Sequence, residues 1–201
     1  MEDKVIGNIN SIQNGSDIGI KSENSPFAES FYFVDIYDDK AVKKFIKSVE
    51  RLVRQSREYK TYIELLRTNN SELNHDSILG NITTADVDLE FHHYPLSLYD
   101  IIYVIVLNSV VNNIKFTSFS IAKEVMENHY SHYIGLVPMT KTTHEIAHKG
   151  DIFIRSDQVF GNYRNFISKY SSGMTQELLN KVLSMEKLTE DGVPSDFKRM
   201  F

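Results

Sequence analysis

From Lys40 to Arg67 apolar side chains recur at every third or fourth position, at Val42, Phe45, Ile46, Val49, Leu52, Val53, Tyr59, Ile63 and Leu66. That period predicts one long amphipathic helix with a single face in a core, and Asp38-Asp39 suits its N-cap and dipole. Leu98 to about Asn112 is apolar all round between Ile101 and Leu107, which predicts a central helix opened by Ser97 and Asp100 as a variant capping box. Its β-branched content also fits a strand, but the cap and the length favour helix. A further helix is expected over Phe119 to His132 behind Thr117 or Ser118, with Ile121, Val125 and Met126 inward. His129 and His132 fall near its end, where a protonated imidazole complements the dipole. Val159 to Tyr170 and Thr175 to Leu188 complete the helical pattern.

Strand signals are short: Phe31 to Tyr37, Asp88 to His93 (Leu89 and Phe91 alternating with polar neighbours until Pro95 stops the run), Tyr133 to Pro138, and Ile152 to Ile154. Thr68 to Asp86 is punctuated by Asn-Asn, Asn-His and Gly-Asn pairs and reads as loop with a turn of helix. The fold class expected is α+β and mostly helical. Residues 1–30, rich in Asn, Ser, Asp and Gly, read as a flexible arm in which Val5, Ile9, Ile18 and Ile20 offer an edge strand. The remaining units are 31–85 (strand, long helix and loop), 86–154 (with a helical segment 97–132 inside it) and 155–201 (helices and a tail).

Composition narrows the chemistry. The 201 residues are 41% hydrophobic and 11% aromatic, enough for one substantial core or two small ones. With no cysteine, a disulfide framework and thiolate zinc sites are excluded, so any metal must be held by nitrogen or oxygen. Residues 1–29 contain no run resembling a secretory signal, and Ile101 to Leu107 is too short to span a bilayer. A cytoplasmic protein is expected, in the host cytoplasm if phage-encoded; the Asn/Lys/Ile-leaning usage is compatible with a phage or mobile element. The net charge of −5 argues against a protein that coats nucleic acid with its whole surface. Yet Lys40 to Lys60 holds eight cations against two acids. Lys43, Lys44, Lys47, Arg51, Arg54 and Arg57 are therefore candidates for a phosphate-binding face, the alternative being a solvated face that keeps the helix soluble.

Four of the seven histidines stand in two stretches, His92-His93 at the end of a predicted strand and His144-Glu-Ile-Ala-His148 one turn apart on a predicted helix closed by Lys149-Gly150. Imidazoles from a strand end and a helix face make a cage for a divalent cation if their ring nitrogens converge within about 4 Å of one another, with the ion ~2.1 Å from each. For His92 and His93 to reach one site, a regular strand would have to bend near Pro95. His75, His129 and His132 read as structural or surface residues.

The order Glu90-x-His92-His93, then Leu136-Val137-Pro138, then His144-x-x-x-His148-Lys149-Gly150 resembles the HNH, or His-Me finger, nucleases. The likeness is to the cysteine-free branch typified by colicin nuclease domains, over about residues 86–151. It implies a small ββα-metal finger with a long helical insertion, and a metal-dependent endonuclease that hydrolyses phosphodiester bonds, in DNA sooner than RNA. It further implies His93 as general base, His92, His144 and His148 as ligands of one divalent ion (Zn, Ni, Mn or Mg), Glu90 as the acid preceding the pair, and Lys149 as a cation reaching phosphate. Nitrogen ligation favours a transition metal over magnesium. Two features depart from the pattern: Gly135 replaces the middle Asn, and about 40 residues separate the halves. The competing reading is a non-catalytic, metal-stabilised module of the same fold that binds nucleic acid or a protein.

Overall fold

A computed structural model describes residues 38–191. The expected N-terminal arm, the strand at Phe31 to Tyr37 and most of the C-terminal tail lie outside the described residues. Within them the chain is α+β and mostly helical, with a small antiparallel sheet of two strands.

The stretch expected as one helix is two, α1 (Asp39–Gln55) and α2 (Arg57–Asn69). Ser56 breaks it. Its backbone is extended, its hydroxyl donates to the Val53 carbonyl at 2.8 Å and accepts from the Tyr59 amide at 3.0 Å, so one side chain closes α1 and caps α2. Beyond the break, Tyr59 stacks on His93 and Tyr62 packs edge-on against His129. Asp38 caps α1 through Lys40 and Ala41, as the sequence suggests.

After a 3-10 turn at Ser71–Asn74, β1 (Leu89–His93) leads into α3 (Leu98–Val111), then α4 (Ser118–Tyr130). α3 is the axis of the core: Ile101, Ile102, Val104, Ile105 and Val106 are buried on every side, and α1 and α4 pack against it and each other. The Ser97–Asp100 capping box is present in both directions. Asp100 also pairs with Lys181 at 3.0 Å. Ser97→Ala is expected to cost about 1 kcal/mol by removing the acceptor for the Asp100 amide, read as a fall of roughly 2–4 °C in the thermal midpoint.

β2 (Leu136–Thr140) pairs antiparallel with β1 in the register Leu89↔Thr140 to His93↔Leu136. It runs without a connecting loop into α5 (Lys141–Lys149), which Gly150 ends in the left-handed region at φ +79. α6 (Tyr163–Lys169) and α7 (Gln176–Asp191) follow. Two expectations are corrected here. Ile152 to Ile154 forms no strand, because Phe160 takes the bridge beside Leu136. The helix expected from Val159 starts only at Tyr163, since that bridge and Gly161 at φ +96 hold the preceding residues extended or turned.

Candidate metal centre

The two strand faces separate by period two. Phe91 and His93 point to the helical core, whereas Glu90 and His92 lie over α5, as their contacts show. Three imidazoles meet there. The His92 ring centroid is 5.0 Å from that of His144 and 4.9 Å from that of His148, and the two helix rings are 4.5 Å apart. One ring nitrogen of each lies within 4.8 Å of the others. A tetrahedral ion ~2.1 Å from each nitrogen requires spacings near ~3.4 Å. The gap is wider than the sequence-based criterion, and rotation of the exposed His148 ring is the available way to close it.

Glu90 sets the orientation of one ring. Its Oε2 lies 2.5 Å from His144 Nδ1, so Nδ1–H donates to the carboxylate and Nε2 is left with its lone pair free, the arrangement by which carboxylates orient metal-binding histidines. Two of the three rings are pushed toward the neutral form. His92 is pushed down to about 4, by burial first and then by His144, His148 and Lys181. Burial, then His144 and Arg54, lowers His148, against an opposing pull from Glu90. His92 and His148 therefore favour lone pairs over protons, the state a cation requires.

A residue outside the motif fixes the helix that carries two of these rings. Asp76 is fully buried; Oδ2 accepts from the Thr140 amide and the Thr143 hydroxyl, each at 2.7 Å, and Oδ1 accepts from the Ile78 and Leu79 amides at 2.8 and 2.9 Å. One carboxylate thus clamps the β2–α5 joint to the 75–86 loop, one residue before His144. Burial alone would raise its pKa, but these four bonds outweigh it and the net shift is downward. Sequence reading missed Asp76 because Asp in a turn-rich stretch looks like ordinary loop chemistry. Gly135 also has a steric reason: a Cβ there would lie 1.9 Å from the Tyr94 carbonyl oxygen, and Tyr94 N donates to Gly135 O at 3.0 Å. No side chain, Asn included, fits at that position.

His93 does not join the three rings. The expected bend near Pro95 is absent, since pairing stays regular through His93↔Leu136, and His93 therefore falls on the opposite face. It is 6% exposed, stacks on Tyr59 at 6.2 Å and places Nε2 3.1 Å from His129 Nε2. The sequence suggests His129 as a cation capping α4; instead it is completely buried and pushed down to about 4 by burial, although its bond to Val125 opposes that shift. Its Nδ1 donates to the Val125 carbonyl at 2.8 Å, so its Nε2 accepts from His93 Nε2–H. The lone pair of His93 is then on Nδ1. His132 lies beyond α4, exposed, at φ 54, and His75 bridges to Thr83.

The other expected cations are exposed. Lys43, Lys44, Lys47, Arg51 and Arg54 lie on α1, Arg57 opens α2 and Lys149 ends α5; among the described residues none of them forms an ion pair.

The family model for Bacteriophage G278-like virion protein matches residues 1–198. The chain belongs to that family. The phage association suggested by residue usage is thereby borne out. No curated protein and no solved structure matches the chain. As a member of a virion protein family it has, among its described residues, no helix long and apolar enough to cross a membrane.

Proposed function

We propose that this phage protein is a metal-dependent phosphodiesterase of the His-Me finger type, centred on His92, His144 and His148. The observation that carries the reading is the convergence of three imidazoles from one strand and one helix, with Glu90 on the outer nitrogen of His144. The succession β1, β2, α5 and the unpaired Lys149 beside His148 support it. A divalent cation held by the three rings would polarise a phosphoryl oxygen and acidify a water. The chain's own groups do the rest: Glu90 fixes His144, His93 offers the Nδ1 lone pair to a proton, and His129 keeps that lone pair on Nδ1 by accepting from Nε2–H. Lys149 supplies positive charge where the phosphate arrives. The family name supports association with the phage particle in place of the cytoplasmic location read from sequence.

The burial of His93 favours a second reading, in which the ion staples β1 to α5 and catalyses nothing. One experiment separates them. Supercoiled plasmid is incubated with purified protein plus zinc, nickel, manganese or magnesium, with chelator controls, and thermal unfolding is followed in parallel. Nicking that needs metal and drops at least a hundredfold in His93→Ala, with metal still bound, is the expected result. A midpoint that falls on chelation with no cleavage under any of the four ions would leave only the staple.

A further inference from the structure

α1 carries a feature that the hydrolytic centre does not use. At 100° per residue, Lys40, Lys43, Lys44, Lys47, Arg51 and Arg54 all fall within an arc of about 100°. Val42, Phe45, Ile46, Val49 and Val53 occupy the opposite side and are buried. All six cations are exposed, and none is in an ion pair among the described residues. Unscreened like charges at this density cost helix stability, so the stripe is built for a polyanion from outside. A membrane surface fits poorly, because the apolar face an interfacial helix would insert is already in the protein core.

The stripe also has a direction. Its far end is Arg54, in the last turn of α1, just before the Ser56 break; Tyr59, one turn beyond the break, stacks on His93.

We infer that α1 is a rail for the sugar-phosphate backbone of duplex DNA, running from Lys40 to Arg54 and delivering one strand to the three-histidine centre. This deepens the phosphodiesterase reading and rests on it for what happens at the far end. From Lys40 to Arg54 the rail is about 21 Å long at ~1.5 Å per residue, which spans about six phosphates of one strand at ~3.4 Å each. Arg54, in the last turn of α1, ends the rail, and Lys44, Lys47 and Arg51 set register without reading sequence.

The test measures binding without cutting. An end-labelled 20-base-pair duplex of arbitrary sequence is titrated with the full chain in chelator, by fluorescence anisotropy, at several salt concentrations. The wild-type chain is expected to bind with a steep salt dependence. The variant Lys44→Gln/Lys47→Gln/Arg51→Gln should bind at least tenfold more weakly, with a slope lower by about 2–3, near ~0.9 for each phosphate no longer neutralised. Lys123→Gln/Lys187→Gln, exposed but off the rail, should stay within twofold. Circular dichroism and a cobalt titration confirm that each variant is folded and keeps its centre. The rail is overturned if the wild-type chain ignores the duplex at 50 mM salt, if the triple variant matches it in affinity and slope, or if it prefers phosphatidylserine vesicles to DNA. Binding through the rail without cleavage under any metal leaves the rail standing and removes the hydrolase. Metal-dependent cleavage of a small phosphodiester, unchanged in the triple variant and accompanied by no duplex binding, does the reverse.

Discussion

His92→Ala is expected to remove tight binding of one divalent cation, lowering affinity for zinc or cobalt by more than about a hundredfold, since loss of a group that merely orients a ligand already costs 10–100-fold. The reason is geometric. His144 and His148 come from one helical turn and could hold an ion by themselves only as a loose pair; His92 is the ligand that ties them to the sheet. It is also the most buried of the three, so its ring has the fewest alternatives and sets where the ion sits. Glu90→Gln should weaken binding by about 10–100-fold, because the amide cannot draw the Nδ1 proton of His144 as a carboxylate does. His129→Gln should leave affinity unchanged, since that ring lies on the other face of β1. Calorimetric zinc titration, with cobalt absorption as a check on coordination, reads all three. Equal affinity in His92→Ala and wild type would place the ion elsewhere and take the proposed centre with it.

The same strand explains what the sequence could and could not reveal. The three converging histidines are legible because they follow local periods: His144 and His148 share a helix face at i, i+4, and Glu90 and His92 share a strand face at i, i+2. Their capping and stop signals are local too, namely Ser97 with Asp100, Thr140, and Gly150. The position of His93 is legible in principle by the same rule, since an unbent strand sends adjacent residues to opposite faces. The likeness to a known motif favoured a bend, and the regular pairing through Tyr94 and Gly135 does not supply one. His129 was hidden for a different reason. Its partner, His93, is 36 positions away, and nothing in the spacing of α4 tells a buried helix-end imidazole from a solvated one. The break at Ser56 turned on whether a serine hydroxyl in an apolar-periodic run would bond back to the helix or cap a new one, and here it does both.

Asp76 carries the largest expected effect on stability. Asp76→Ala removes the buried acceptor of the Thr140 amide and of two loop amides, and one of the acceptors of the Thr143 hydroxyl. The loss should be about 3 kcal/mol, or roughly 6–12 °C in thermal midpoint for a chain of this size, measured with chelator so that metal binding does not mask it. Asp76→Asn should recover part of this, because its one oxygen serves two of the four donors while its NH2 faces the other two. The pH dependence follows from the downward shift. A carboxylate whose folded pKa lies below its unfolded value near ~3.9 stabilises the fold fully above that value and loses its contribution as pH falls through the folded pKa. Wild-type protein should therefore lose stability more steeply than Asp76→Asn below about pH 4, with the two curves parallel above it. The metal centre should respond as well, since the joint one residue before His144 is what the carboxylate holds. Zinc affinity is expected to drop in Asp76→Ala even where circular dichroism shows the variant folded. Identical urea midpoints and identical acid limbs in wild type and Asp76→Asn would mean that the joint is held by something other than this side chain.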